Sequence, residues 1–190
     1  MRAGLFGGSF NPAHHGHLAV AEAAKVACRL DRVVWLVSPG NPLKRRSDYR
    51  PLDERTIGAR QLAAGRPWLE VSAIEDALGT RYTIDTLRSL SRLTRASLVW
   101  IMGADSLAGF SSWRAWRRIA LMMPILVVSR PGQTMPALTS VAARALAGRR
   151  QPNPSTLPGT TTPAWSYVHT VHEPVSATAI RTLDGPGRRF

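Results

Sequence analysis

The stretch Gly7-Gly8-Ser9-Phe10-Asn11-Pro12-Ala13-His14-His15-Gly16-His17 constrains the fold of this chain more than any other. It follows a short apolar strand candidate, Ala3 to Phe6, and precedes a helical pattern beginning near Leu18. A strand feeding a glycine-rich turn and then a helix suits a phosphate. The glycines let backbone approach the ligand, and the helix N-terminus offers unpaired N–H groups with partial positive charge. No G-x-G-x-x-G is present and no G-K-[ST] follows, so the turn is neither a dinucleotide fingerprint nor a Walker loop. It carries His14-x-x-His17 instead, and Gly16 between them leaves room for a ligand against the backbone. Two imidazoles there can donate hydrogen bonds to phosphate oxygens as negative charge develops. The plainer alternative is a pair of surface histidines; the strand and G-G-S-F turn before them favour the phosphate reading.

The rest of the chain fits an α/β fold. Residues 2–8 read as a strand and 16–29 as an amphipathic helix, with Leu18, Ala21, Ala24 and Cys28 at helical spacing. Val33 to Val37 is a continuous apolar run, as in a strand covered on both faces. Together they make a βαβ unit, the opening of a single Rossmann-like, doubly wound parallel sheet flanked by helices. Further helices are expected at 53–64, 82–93, 139–149 and 176–183, and further strands at 69–71, 97–102, 124–128 and 167–171. Residues 38–52 form a Pro-rich, charged loop, 151–165 a surface excursion, and 184–190 a loose tail. No repeat and no second domain is visible, so 1–190 is expected to be one domain.

Two further places attract chemistry. Lys44 follows Asn41-Pro42-Leu43 on the long loop, where its ammonium can fold over a triphosphate. Arg45 and Arg46 beside it leave a solvated basic loop as the alternative. Near the other end, Ser176 can cap a helix, and Thr178 and Arg181, three apart, share one of its faces. Hydroxyls, free N–H groups and a guanidinium then converge, which describes a phosphate site. An ordinary capped helix with an exposed arginine is the other reading. Asp105 follows the strand at 97–102, and carboxyl ends of parallel strands are where such sheets bind ligands; it can equally cap the following segment.

Composition narrows the partners. The net charge is +13, from 25 basic and 12 acidic residues, so the surface attracts anions. Nucleic acid and polyphosphate nucleotides both qualify. The basic residues do not form a stripe interleaved with exposed aromatics, which counts against an RNA reader. The single cysteine, Cys28, excludes an internal disulfide and reads as a small buried residue. There is no membrane-length apolar run and no signal-peptide layout, so a cytoplasmic protein is expected.

G-G-S-F-N-P-A-H-H-G-H resembles the signature of the nucleotidyltransferases that carry (H/T)-x-G-H, and Val175-Ser-Ala-Thr-Ala-Ile-Arg181 resembles their I-S-[ST]-T-x-[IV]-R motif. Tyr82-Thr83-Ile84-Asp85-Thr86-Leu87, G-A-D-S-L at 103–107, W-R-A-W at 113–116 and S-R-P-G at 129–132 accompany them in order. The set, from Gly7 to Arg181, is similar to bacterial nicotinate-nucleotide adenylyltransferases. Class I aminoacyl-tRNA synthetases share a related histidine signature, but this chain lacks their K-M-S-K-S-like loop. Asn11 stands where the family commonly has Asp, Leu43 precedes Lys44 where a Pro-His pair is common, and Val175 replaces Ile.

The resemblance implies adenylyl transfer from ATP to nicotinate mononucleotide, yielding nicotinate adenine dinucleotide and pyrophosphate. Same-fold enzymes acting on nicotinamide mononucleotide or phosphopantetheine are the near alternatives, and a basic nucleic-acid-binding module is the distant one. It implies His14 and His17 on the ATP phosphates near the reacting centre. Lys44, Ser176, Thr178 and Arg181 would hold the β- and γ-phosphates. Gly7, Gly8, Ser9, Phe10 and Arg130 would flank the adenosine. Thr83, Asp105, Trp113 and Arg114 would take the pyridine nucleotide, with Trp113 stacked on its ring; packing is the other role open to Trp113 and Trp116. Mg²⁺ would bridge phosphate oxygens with few protein ligands, and the histidines would not bind metal. No nucleic acid or membrane partner is expected.

Overall fold

The computed structural model describes residues 1–40, 49–129 and 134–169. Within them lie strands β1 (Arg2–Gly8), β2 (Arg32–Val37), β3 (Leu69–Ser72), β4 (Ser97–Gly103), β5 (Ile125–Ser129) and β6 (Trp165–His169). The helices are α1 (His15–Ala27), α2 (Leu52–Ala63), α3 (Ile74–Ala77), α4 (Thr83–Leu93), α5 (Ala104–Gly109), α6 (Trp116–Met122), α7 (Thr134–Leu138) and α8 (Val141–Ala145). The strands form one sheet in the order β3-β2-β1-β4-β5-β6, every pair parallel. This is a doubly wound, Rossmann-like parallel sheet, as expected from the sequence.

Side-chain alternation explains why the strands read as unbroken apolar runs. Leu5, Leu36, Trp100, Met102, Ile125 and Val127 share one core with Ile84 and Leu87 of α4, Leu107 of α5 and Ile119 of α6. The residues between them, Phe6, Trp35, Ile101, Leu126 and Val128, join a second core with Leu18 and Ala21 of α1 and Ala59 of α2. A parallel sheet covered on both faces needs apolar residues at both alternations. Close approach inside the first core requires Gly7. A Cβ there would stand 2.5 Å from the outer edge of the Trp100 indole.

β1 and β4 are neighbours, with Phe6 opposite Ile101. The strand order runs outward from this pair in both directions. Sheets of this kind bind ligands at the carboxyl ends of the strands where the order reverses, which here are the turn after Gly8 and the start of α5.

Three sequence expectations need correction. Residues 139–149 are not one helix. Ser140 accepts a hydrogen bond from the Ala143 N–H and starts α8 afresh, while the Thr139 hydroxyl donates back to Met135 O. β6 begins at Trp165, two residues before the expected 167, because Trp165 pairs with Ile125 and its Nε1–H donates to Leu146 O. The short α3 carried no periodic signal. Leu157, inside the 151–165 segment, is fully buried. The helix expected at 176–183 and the tail at 184–190 lie outside the described residues. Among the described residues no helix is long and apolar enough to cross a membrane.

Candidate active site

The turn after β1 delivers two imidazoles to the N-terminus of α1. His14 is the N-cap, with extended backbone, and its Nδ1 accepts the Gly16 N–H at 3.1 Å. The His14 N–H in turn donates to Nδ1 of His17 at 3.2 Å. The two residues thus form a reciprocal capping box in which imidazoles replace the usual hydroxyl and carboxylate. Because both Nδ1 atoms accept, the neutral rings carry their protons on Nε2. The pair therefore carries its two N–H donors on Nε2. Their ring centroids are 3.9 Å apart, and Phe10 lies 4.8 Å from His17. No acidic residue occupies the first turn of α1, whose N-terminus carries partial positive charge.

Phe10 shapes this turn. Its backbone is left-handed, at φ 45, which costs about 1 kcal/mol or more for a residue with a Cβ. Its ring is fully buried and stacked on Trp35, with centroids 4.9 Å apart. Burial of that ring holds the backbone in the strained state.

The turn is braced from below by Arg55 of α2, only 3% exposed. Its guanidinium donates to Ser9 O at 2.6 Å, Ser38 O at 2.8 Å, Arg50 O at 2.9 Å and Pro39 O at 3.3 Å. The Asn11 carboxamide oxygen adds a bond from the Arg50 N–H at 3.1 Å. Nothing in the sequence singled out Arg55. It follows two acids in a helix opening that reads as solvated.

Asp105 is exposed in the first turn of α5, and its carboxylate fills the space a Cβ on Gly103 would take. Gly103, not Asp105, is the N-cap of α5. At the start of α4, Tyr82 precedes Thr83, and the Arg114 guanidinium lies 4.7 Å over the Tyr82 ring and 3.8 Å from Asp85 Oδ2. Trp113 packs edge-on against Trp100 at 6.5 Å, and Trp100 crosses Gly7. Arg114 thus reaches the start of α4 at Tyr82 and Asp85, and Trp113 reaches the glycine turn through Trp100. Ala115, left-handed at φ 53, turns the chain after Arg114, so that Trp113 stays half-exposed while Trp116 is buried. Trp116 is therefore core.

Another buried polar group was also missed in the sequence. Glu75 of α3 accepts the Thr86 hydroxyl at 3.1 Å, and Thr80 lies 2.9 Å from Thr86. Burial pushes the Glu75 carboxyl up to about 7, against a downward pull from the Thr86 hydrogen bond. Cys28 is fully buried, and desolvation pushes its thiol up to about 12, which makes it inert.

Gly7, Gly8, Ser9, Phe10, His14 and His17 are together in one turn, and Thr83, Asp105, Trp113 and Arg114 line the neighbouring elements. Lys44, Arg130, Ser176, Thr178 and Arg181 lie outside the described residues.

Comparison with known proteins bears on the same features. Residues 5–183 match the family described as cytidylyltransferase-like. A protein named "Probable nicotinate-nucleotide adenylyltransferase" from a strain of Methylorubrum extorquens is 50% identical over 185 residues, covering 96% of this chain and 100% of the relative. One of the same name from Bradyrhizobium sp. (strain ORS 278) is 46% identical over 193 residues, covering 100% of both. Among solved structures, Plasmodium falciparum nicotinic acid mononucleotide adenylyltransferase complexed with NaAD has a TM-score of 0.70 at 12% identity, covering 95% of this chain and 82% of that one. At that identity the likeness speaks to the fold.

Proposed function

This chain belongs to the nicotinate-nucleotide adenylyltransferases, within the cytidylyltransferase-like family, and we propose that it joins the adenylyl group of ATP to nicotinate mononucleotide in NAD synthesis. The products are nicotinate adenine dinucleotide and pyrophosphate. The observation that carries this reading is the reciprocal cap of His14 and His17 at the carboxyl end of β1, beside its switch-point neighbour β4.

The chemistry needs no protein nucleophile. A phosphate oxygen of the mononucleotide attacks the α-phosphorus of ATP in line. A new P–O bond forms, the bond from the α-phosphorus to the bridging oxygen breaks, and pyrophosphate leaves with that electron pair. Catalysis then rests on positioning and on neutralising charge as it develops. The two imidazoles and the positive N-terminal end of α1 do this at the α-phosphate. We assign Gly7, Gly8, Ser9, Phe10 and Arg130 to the adenosine. Lys44, Ser176, Thr178 and Arg181 take the outer phosphates.

Thr83, Asp105, Trp113 and Arg114 form the mononucleotide subsite. Backbone N–H groups and the Arg114 cation near Trp113 favour a carboxylate over an amide, whose NH₂ would face donors. Same-fold action on phosphopantetheine is disfavoured by the Tyr82–Leu87 and Trp113–Trp116 motifs. Mg²⁺ fits as an ion that arrives on ATP. It takes hard oxygen ligands, and Asp105 is one exposed carboxylate beside a site otherwise built from N–H donors and imidazoles. When bound, it neutralises phosphate charge. The substrates are soluble metabolites, so the expected place of action is the cytoplasm, with no nucleic-acid or membrane partner.

The test uses ATP labelled at the α-phosphorus. The label should move to the dinucleotide in one-to-one ratio with pyrophosphate, and none should stay on denatured protein. A labelled protein intermediate would overturn the direct mechanism.

A further inference from the structure

Among the described residues the guanidinium of Arg55 has four hydrogen-bond acceptors, all backbone carbonyls. Ser9 belongs to the glycine turn, Ser38 and Pro39 to the chain leaving β2, and Arg50 to the chain entering α2. Each segment lies at the carboxyl edge of the sheet. The Tyr49 ring lies against the guanidinium, 5.5 Å from its carbon to the centroid. No carboxylate pairs with Arg55 among the described residues. A buried cation is costly, and it persists here because several carbonyl dipoles converge on it. A lysine could not replace it. Its single ammonium lacks the planar fork that reaches three segments at once.

The arrangement has two consequences for the turn. Ser9 O is fixed one residue before Phe10, whose left-handed backbone needs support, and Asn11 is tied to Arg50 by its side chain. The path from β1 to the His14 cap is thus held from both sides. A full positive charge also sits directly beneath a turn read as the ATP site, inside a medium that screens it weakly.

We propose that Arg55 is a positioning residue of the nucleotide site: its buried guanidinium clamps the glycine turn to the segments flanking β2 and α2 and adds fixed positive charge beneath the phosphates. It acts on ATP through the turn and touches neither substrate. The proposal rests on the reading of this turn as the ATP site.

The test measures each ligand separately, by calorimetry, on wild type, Arg55→Lys and Arg55→Met. A misplacement on the order of 1 Å costs up to ~10²-fold. The Kd for ATP should therefore rise about tenfold or more in Arg55→Met, and less in Arg55→Lys, which keeps the charge. The Kd for nicotinate mononucleotide should change by less than about twofold, because the residues assigned to it do not contact Arg55. An unchanged Kd for ATP, or equal weakening of both ligands, overturns the proposal; the second outcome marks a purely structural residue. Should either variant fail to fold, the unmodified protein decides by NMR. The Arg55 Nε–H, bonded to Arg50 O, should exchange slowly with solvent and shift on adding ATP but not the mononucleotide. Exchange at the rate of a free arginine, or no response to bound ATP, overturns the clamp. Wild type that binds no ATP overturns the reading of the site itself, a distinct result.

Discussion

The His14 N–H donates to Nδ1 of His17 at 3.2 Å, so the second imidazole of the pair is anchored by the residue that carries the first. One interaction therefore caps a helix and sets a tautomer, and these two effects can be separated by mutation.

His17→Ala should lower turnover by at least ~10²-fold, as when a preorganised donor to developing charge is lost. It should cost only about 1 kcal/mol of stability, the usual cost of losing a cap. His17→Asn, whose Oδ1 can accept the same N–H, should regain most of that stability and little of the turnover. Steady-state kinetics with thermal melts check this; near-native turnover in a soluble His17→Ala would remove the histidine from the mechanism.

Glu75 predicts a pH signature. Its folded carboxyl is raised from 4.5 to about 7. Between those values the folded state keeps a proton that the unfolded state has lost. Stability from this group is thus complete below about 4.5 and is lost as pH rises through about 7, by no more than about 3 kcal/mol. Glu75→Gln should abolish that fall. Denaturant unfolding at pH 5 and pH 8 should show a larger loss for wild type than for the variant; parallel curves would contradict the assignment.

Gly7→Ala should destabilise by about 1–3 kcal/mol, because its Cβ would overlap the Trp100 ring. Shortening the ring in Gly7→Ala/Trp100→Leu should recover part of the loss. Additive effects in this double-mutant cycle would mean that the two residues are not coupled.

Arg114→Ala removes an exposed guanidinium from Tyr82 and Asp85. Such pairs contribute about 0–1 kcal/mol, so melting should barely change. The KM for nicotinate mononucleotide should rise roughly tenfold with the KM for ATP unchanged, a loss of about 1.4 kcal/mol in binding. Equal effects on both substrates would place Arg114 elsewhere.

The legible parts of this chain were those governed by local pattern. β2 and β4 announced themselves because burial on both faces leaves no polar alternation. The histidine turn was legible because its strand, glycines and helix are contiguous. Arg55 was not legible. An arginine after Asp53 and Glu54 looks solvated, and only the folded backbone brings four carbonyls to it. Glu75 was hidden for the same reason, since its partner Thr86 reaches it across a turn. The break at Ser140 was missed because its capping hydroxyl interrupts an alanine-rich stretch of good helix propensity. Trp165 joined β6 through pairing with Ile125, which no local window contains.

Pyrophosphate release from Mg-ATP, with nicotinate mononucleotide and nicotinamide mononucleotide supplied in turn, tests the central claim most directly. Fast release with the acid, and release slower by about tenfold or more with the amide, is the predicted result. Equal rates with the two, or no release with either, would contradict it.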